Sequence, residues 1–260
     1  MQIIDRVLVD SFILKQREST TNATINNRLR GVRAFLYFCM ECGYCCNFKV
    51  HMVRLDEVVK QTYTDDELKL LLHKPDLKTC TFAEYRNWVI TNFFLGTGVW
   101  VSTLIAVKIK DVDLVNCMLT TRHNKNHKQQ LLPISRSLNK ILLEYLAYRN
   151  HESEDDFLFC NQYAKKFNPK ACTRAIRRYS QERGISNPGC HKFRHTFAKN
   201  WVLAGGDVFR LQKILGHRTM DMVHKYVNLY GTELQKDFEK YNVLDRLTDD
   251  RRAITMTKIK

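Results

Sequence analysis

The sequence predicts a mainly α-helical fold with a small antiparallel β-sheet, an α+β arrangement. Apolar residues recur at three- and four-residue intervals along most of the chain, which is the period of an amphipathic helix. Two short β-prone runs flank one polar, basic stretch, as in a β-hairpin. The length of 260 residues and the hydrophobic fraction of 44% are sufficient for one large domain or two modest domains with a real core.

The first 50 residues predict a small helical domain. A polar break at 19–22 offers N-cap residues, and the helix after it would bury an apolar face made of Ile25, Leu29, Val32, Leu36 and Cys39. The opposite face would carry Asn26, Arg30 and Arg33, which either lie along a DNA groove or form a solvated surface. Residues 51–63 show no clear period, so we expect a linker there.

A larger unit is expected from residue 64. Thr64 and Glu67 form a capping box ahead of an apolar run. An apolar helix is predicted over 85–107 with an interruption at 96–98, followed by short strands near 112–121 and 130–134 that form a hairpin with a basic tip.

The second half of the chain is again helical by period. Helices are predicted over 138–148, over 172–179 and from 191 to 230, the last with breaks at 205–206 and at Gly216. The second of these helices carries a basic cluster: Arg174, Arg177 and Arg178. In the tail, 231–260, one stripe is apolar and needs cover from its own or a neighbouring subunit: Leu234, Phe238, Tyr241 and Leu244.

The chain is strongly basic, with a net charge of +15 and a pI near 9.5. Such an excess predicts a polyanionic partner, either nucleic acid or an acidic membrane surface. No apolar run approaches the roughly 20 residues of a bilayer span, and no signal-peptide pattern opens the chain. We therefore expect a cytoplasmic protein.

Nine cysteines, an odd number in a chain without a secretion signal, predict reduced thiols. Four of them have a spacing that also occurs in zinc and iron–sulfur sites: Cys39, Cys42, Cys45 and Cys46. Because Cys39 ends an apolar stripe and Gly43 has the position of a helix cap, thiols packed around a turn explain the cluster. We expect no metal and no cofactor.

The residues that predict a function lie between 191 and 226. His191 and Arg194 form an H-x-x-R pattern, Leu215-Gly216-His217 follows, and Tyr226 lies nine positions after His217. Imidazoles, a guanidinium and a phenol are suited to gripping a phosphodiester and attacking it with an oxygen nucleophile. In this order and spacing the residues resemble the tyrosine recombinases, the family of phage and transposon integrases.

The resemblance implies a tyrosine-recombinase catalytic fold over 64–230, preceded by a core-binding domain over 1–50 that is shorter than usual. It also implies double-stranded DNA as the partner and a homotetramer on paired DNA sites, with the tail docking on a neighbour. Contacts to DNA phosphates would come from basic side chains of both units: Arg30, Arg33, Lys128, Arg174, Arg177 and Arg178.

The same resemblance assigns roles within the site. Tyr226 would attack the scissile phosphate and form a 3′-phosphotyrosyl link, whereas Tyr230 lies outside the spacing. Arg194 would be half of an arginine clamp. His191 would accept the tyrosine proton or bond a phosphate oxygen, and His217 would supply a further hydrogen bond.

The family also carries a catalytic lysine in a G-K-G-x-K-x-R-x-x-P-like stretch of the hairpin. Setting Pro133 on that proline brings Lys125 to the catalytic position and Lys128 to the second basic position, and the two are close enough to exchange roles. A solvated charge run remains an alternative for both.

One position departs from the family. Where its members have T-G-x-R-x-S-E-L, this chain has Trp100 in place of the first catalytic arginine and Thr103 in place of the acid. An indole has one weak donor and no charge, so we expect strongly impaired cleavage. A relative that only binds DNA is the alternative.

A second alternative is a metal-dependent hydrolase. His191 and His195 stand four positions apart, the spacing of two zinc ligands on one helix face, and a cysteine would complete the set. Lys192 follows His191 where the metalloproteases have glutamate, which argues against this interpretation.

Overall fold

The computed structural model describes residues 4–55, 60–122, 129–217, 219–220, 223 and 226–227. The chain divides into two units, Met1–Val59 and Lys60–Lys260. The helices of the described residues are α1 Arg6–Arg17, α2 Asn22–Glu41, α3 Asp65–Leu72, α4 Phe82–Thr97, α5 Val101–Leu104, α6 Arg136–Tyr148, α7 Pro169–Glu182, α8 Cys190–Leu203 and α9 Val208–Leu215. The strands are β1 Val112–Asp113, β2 Met118–Thr121 and β3 Gln130–Pro133. The predicted fold class, mainly α with a small antiparallel sheet, is confirmed.

The first unit is built from α1 and α2. Thr21 caps α2 by accepting from the backbone N–H of Thr24, and the predicted apolar face packs as a small core around Ile25, Leu29 and Leu36. At the other end Gly43 has a φ of +75°, the left-handed conformation of a helix cap, which confirms its predicted place.

The predicted polar face of α2 is wrong at Asn26. Its side chain is buried, donates to the carbonyl of Val53 at 2.7 Å and accepts from the N–H of Val53 at 2.8 Å. A buried side-chain amide whose donor and acceptor are both hydrogen-bonded to one backbone residue has a structural role. Arg30 remains exposed on that helix.

The second unit is organised around α4. This helix is apolar on nearly all sides because α3, α6, α7 and α8 pack against it. Phe93 and Phe94 are almost completely buried there, and Phe94 stacks on Phe193 of α8 with ring centroids 5.8 Å apart. Burying each such side chain stabilises the fold by about 1.5–3 kcal/mol, so α4 fixes α8 in place.

The sheet has the order β1-β2-β3, and both pairs are antiparallel. The strand expected over 112–121 is in fact two strands with a turn at 114–117. The reason is local, since the carboxylate of Asp113 accepts from the N–H groups of Val115 and Asn116 and so stabilises a chain reversal. The tip of the β2–β3 hairpin, 123–128, and the tail stripe both lie outside the described residues.

No helix in the described ranges is long and apolar enough to cross a bilayer.

Candidate active site

Helix α8 carries most of the predicted site, and its first turns are tied to the start of the second unit. The hydroxyl of Thr196 accepts from the backbone N–H of Tyr63 at 2.9 Å, and the phenol of Tyr63 accepts from the N–H of Gly189 at 2.9 Å. Tyr63 also packs on Phe193, with ring centroids 4.6 Å apart. These contacts fix the rotation of α8 and therefore the direction in which its polar side chains point.

Arg194 is buried at the centre of the site and is held by main-chain carbonyls. Its Nη1 donates to Gly98 at 2.7 Å and its Nη2 donates to Leu215 at 2.6 Å. Burial lowers the pKa of Arg194 to about 10, and the neighbouring Tyr226 opposes that shift. The guanidinium therefore stays charged at neutral pH in a dry environment, where it attracts an anion strongly.

The two carbonyls are presented by helix ends that require glycine. Gly98 ends α4 and Gly216 ends α9, both with a φ of +65°. A Cβ on Gly98 would lie 2.7 Å from the ring of Phe197, so the close approach of α4 to α8 also depends on it. The glycines of the T-G and L-G-H motifs thus place the acceptors that hold Arg194.

His217 follows the second of these caps and contacts the same guanidinium. Its Nε2 lies 2.9 Å from Nη2 of Arg194, and because arginine has only donors this nitrogen must be the acceptor. Burial, with the charge of Arg194 next in importance, lowers the pKa of His217 to about 4. The neutral ring then carries its proton on Nδ1, which is buried and has no partner within the described part of the chain.

Tyr226 lies in the same unit and its hydroxyl is 2.7 Å from Nδ1 of His195. The phenol ring is only 5% exposed and packs in a small core with Ala198, Leu211 and Leu215. Burial, followed by Lys60, His191 and Arg194, lowers the pKa of His195 to about 4. Tyr226, the predicted nucleophile, therefore contacts α8 at His195, the residue that follows Arg194.

Trp100 lies against two other predicted site residues, Arg194 and His191. The guanidinium of Arg194 is 4.4 Å from the centroid of its ring, and the ring of His191 meets it edge-on at 5.1 Å. Trp100 precedes α5 as its N-cap, and its side chain makes no capping hydrogen bond. The indole thus touches the positive group and an imidazole without adding a charge.

A cavity of about 690 Å³ opens beside Trp100 and His191. Lys170, Thr173 and Arg174 of α7 line its other side. Arg174, Arg177 and Arg178 are exposed and share one face of α7, three and four residues apart. Of this basic cluster the structure places Arg174 beside the site, whereas Arg178 pairs with Glu182 at 2.8 Å.

The predicted lysines Lys125 and Lys128 lie outside the described residues. Next to them, Arg122 forms a 2.9 Å ion pair with the buried Asp111, and Gln130 donates to the carbonyl of Ile214 at 2.9 Å. Both ends of the hairpin are therefore anchored to the second unit, one of them near the helix end that precedes Gly216. Arg30 and Arg33 belong to the first unit.

Metal ligation is not supported by the placement of the described side chains. No three histidine, cysteine, aspartate or glutamate side chains among them form a metal-binding group. The nine cysteines are free thiols, among them Cys39, which is buried, and Cys42 and Cys46, which are exposed. His195, which the sequence analysis considered only in an alternative zinc pair with His191 and argued against, contacts the phenol of Tyr226, and sequence reasoning missed that contact.

A sequence model of the phage integrase family matches residues 61–233. Tyrosine recombinase XerC of Chlamydia caviae is 24% identical over 220 residues, which cover 82% of this chain and 70% of the relative. Tyrosine recombinase XerA of Pyrococcus furiosus is 27% identical over 197 residues, which cover 75% of this chain and 66% of the relative.

Solved structures show the same fold. The XerH site-specific recombinase, in a post-cleavage complex with a palindromic difH substrate, matches with a TM-score of 0.72 and 21% identity over 91% of this chain and 72% of the other. A λ integrase fragment bound as a dimer to a COC′ core site matches with a TM-score of 0.66 and 15% identity, over 85% of this chain and 82% of the other.

Proposed function

This chain belongs to the phage integrase family of tyrosine recombinases, and we propose that it cleaves and rejoins DNA at specific sites through a 3′-phosphotyrosyl intermediate at Tyr226. The observation that carries the proposal is the convergence on α8 of a buried, main-chain-held Arg194 and the Tyr226 hydroxyl, in the region that the family model matches. The two solved relatives described above are complexes with their recombination sites, and a net charge of +15 suits DNA as the partner of this chain.

The chemistry needs no metal. Arg194 would bind two non-bridging oxygens of the scissile phosphate, because a guanidinium is planar and permanently charged. The Nδ1–H of His217 would donate to a phosphate oxygen and so satisfy a buried donor that lacks a partner among the described residues. Lys125, or Lys128 in its place, would protonate the leaving 5′-oxygen.

Binding would rest on phosphate contacts from Arg174, Arg177 and Arg178, with Arg30, Arg33 and Lys128 as further contacts. Arg174 supports this assignment because it lines the cavity beside His191. A homotetramer on paired DNA sites and the boundaries 1–50, 51–63, 64–230 and 231–260 are part of the same proposal.

Cleavage is proposed to be slow because Trp100 adds no charge to the site. The indole ring lies against Arg194, so a single guanidinium would neutralise the phosphate where the family uses two. Losing one preorganised donor costs about 2.7–4 kcal/mol of transition-state stabilisation. The same observation favours a second candidate, a protein that occupies recombination sites without cutting them.

A covalent trap separates the two candidates. A footprint on the ends of the genetic element that encodes the chain defines the site, and a nicked half-site of that sequence then traps the phosphotyrosyl adduct. We expect slow adduct formation that disappears in Tyr226→Phe. Tyr145→Phe, which removes a buried tyrosine hydroxyl bonded to the carbonyl of Leu158 away from the site, serves as the control. DNA binding without any adduct after long incubation would leave the binding-only function.

A further inference from the structure

His195 makes the hydrogen bond that the sequence pattern assigns to another residue. We propose that His195, rather than His191, receives the proton of the Tyr226 hydroxyl during cleavage and returns it during rejoining. This inference rests on the proposed function and adds a catalytic residue outside the H-x-x-R and L-G-H patterns.

The geometry of α8 separates the two histidines. They are one helical turn apart, but the ring of His191 is exposed and meets Trp100, whereas the ring of His195 is half-buried and faces Tyr226 at a centroid distance of 5.9 Å. The Nδ1–hydroxyl distance of 2.7 Å is that of a strong hydrogen bond. Proton transfer requires this distance before it requires a suitable pKa.

The packing around Tyr226 maintains that contact. Ala198, one turn along α8 from Arg194, is fully buried in the same small core as Tyr226, and Leu211 and Leu215 of α9 belong to that core too. The ring is therefore seated between two helices, and its hydroxyl meets the helix that carries Arg194. The hydrogen bond fixes the direction of the attacking oxygen as well as the path of its proton.

The charge state of His195 suits an acceptor. Burial and the charges that face it, from Lys60 and Arg194 with His191 beside them, lower its pKa to about 4, so the ring is neutral at pH 7. With its proton on Nε2, Nδ1 accepts from the phenol. A phosphodiester bound at Arg194 would bring a negative charge to the same place and raise the pKa of His195 when the proton must move.

The proposed step is balanced. As the Tyr226 oxygen forms its bond to phosphorus, its proton passes to Nδ1 of His195. The bond from phosphorus to the 5′-oxygen breaks, and that oxygen takes a proton from the hairpin lysine. In rejoining, the 5′-hydroxyl attacks the phosphotyrosine and gives its proton back to the hairpin lysine, the bond from phosphorus to the Tyr226 oxygen breaks, and His195 returns its proton to the departing phenol.

The contact can be tested without DNA. 3-Fluorotyrosine placed at position 226 gives one ¹⁹F resonance, which we expect to shift in His195→Gln and to stay within the line width in His191→Gln. His73→Gln, at the end of α3, is the matched control outside the site. An unchanged resonance in His195→Gln would overturn the assignment.

The proton transfer is tested with the footprinted nicked half-site. We expect His195→Gln to slow adduct formation by about 10²–10⁴-fold at unchanged DNA affinity, and imidazole to restore part of the rate in His195→Ala. A 5′-phosphorothiolate half-site, whose sulfur leaves without a proton, should rescue Lys125→Ala or Lys128→Ala but not His195→Gln.

The outcomes separate this inference from the proposed function. An adduct that forms equally fast in His195→Gln, or a loss and imidazole rescue confined to His191 variants, overturns the role of His195 and leaves the recombinase intact. Absence of adduct in the unsubstituted chain and in Trp100→Arg overturns both.

Discussion

Positions 194 and 100, the two that would hold the phosphate, are built in opposite ways. Arg194 is a buried cation with two main-chain acceptors, the carbonyl of Gly98, which caps α4, and the carbonyl of Leu215, the last residue of α9. Trp100 is a partly exposed neutral ring that touches the cation but supplies none of its hydrogen bonds. The scaffold that positions the first charge is thus independent of whether the second is present, so a change at 100 can remove charge without dismantling the site.

The largest effect on the rate of adduct formation is expected from replacing Arg194. In Arg194→Lys a compact ammonium replaces the planar, forked guanidinium, and it cannot reach both main-chain carbonyls or two phosphate oxygens. We expect adduct formation on the nicked half-site to fall by more than about 10³-fold, since a donor set and its geometry are lost together. DNA affinity should change by only a few-fold.

Arg183→Lys is the matched control for that experiment. Arg183 pairs with Glu84 at 3.1 Å and stacks on Tyr179, away from the predicted site residues. It should keep the adduct rate, and thermal unfolding should show that both variants are folded. Equal rates in Arg194→Lys and the unsubstituted chain would remove Arg194 from the mechanism.

The second-largest effect on the adduct rate is expected from adding the missing positive charge at position 100, which sharpens the comparison with Arg194. Trp100→Arg should raise the adduct rate by about 10²-fold, the usual contribution of one preorganised donor. Without DNA the same change places a second cation beside Arg194 and removes a cation–π contact of about 0.5–2 kcal/mol, so the free protein should melt at a lower temperature.

A higher adduct rate together with a lower melting temperature in Trp100→Arg would indicate that the site is built to bind an anion. Trp100→Phe is the control, because it keeps an aromatic ring and adds no charge, and its adduct rate should stay near that of the unsubstituted chain. Faster cleavage by the unsubstituted chain than by Trp100→Arg would refute impairment.

The same contrast explains what the sequence could predict. Helix ends depend on one or two neighbouring residues, so the capping box of Thr64 and Glu67, the cap at Gly43 and the helix break at Gly216 could all be predicted from local signals. The structure has a helix cap at each. The H-x-x-R and L-G-H patterns, through the family resemblance, imply that Arg194 and His217 would lie at the same phosphate, and such side chains must come close together. They do, at 2.9 Å.

What the sequence could not predict depends on tertiary contacts. The polar face of α2 gave no sign that Asn26 would be buried on the backbone of Val53, 27 residues away. His195 had the spacing of a zinc ligand, and only the packing of Tyr226 between α8 and α9 shows that its partner is a phenol. Periodicity identifies the face of a helix but not what lies against it.

The smallest effect concerns the neutral histidine that accepts from Arg194. The pKa of His217 is lowered to about 4 in the folded chain, below the usual 6.5 of an unfolded histidine. The unfolded state therefore binds a proton first, and the stability that comes from the neutral ring is present above pH 6.5 and lost as the pH falls towards 4. His217→Gln keeps an acceptor for Arg194 but cannot titrate.

We therefore expect the melting temperature of His217→Gln to lie below that of the unsubstituted chain at pH 7 and to approach or pass it at pH 4.5, by a few degrees. His73→Gln, outside the site, is measured over the same range as the control. Parallel curves for His217→Gln would mean that neither burial nor the charge of Arg194 lowers the pKa of His217. The inference that Arg194 binds the phosphate in a low-dielectric environment would then fail as well, because a screened guanidinium would hold the phosphate only weakly.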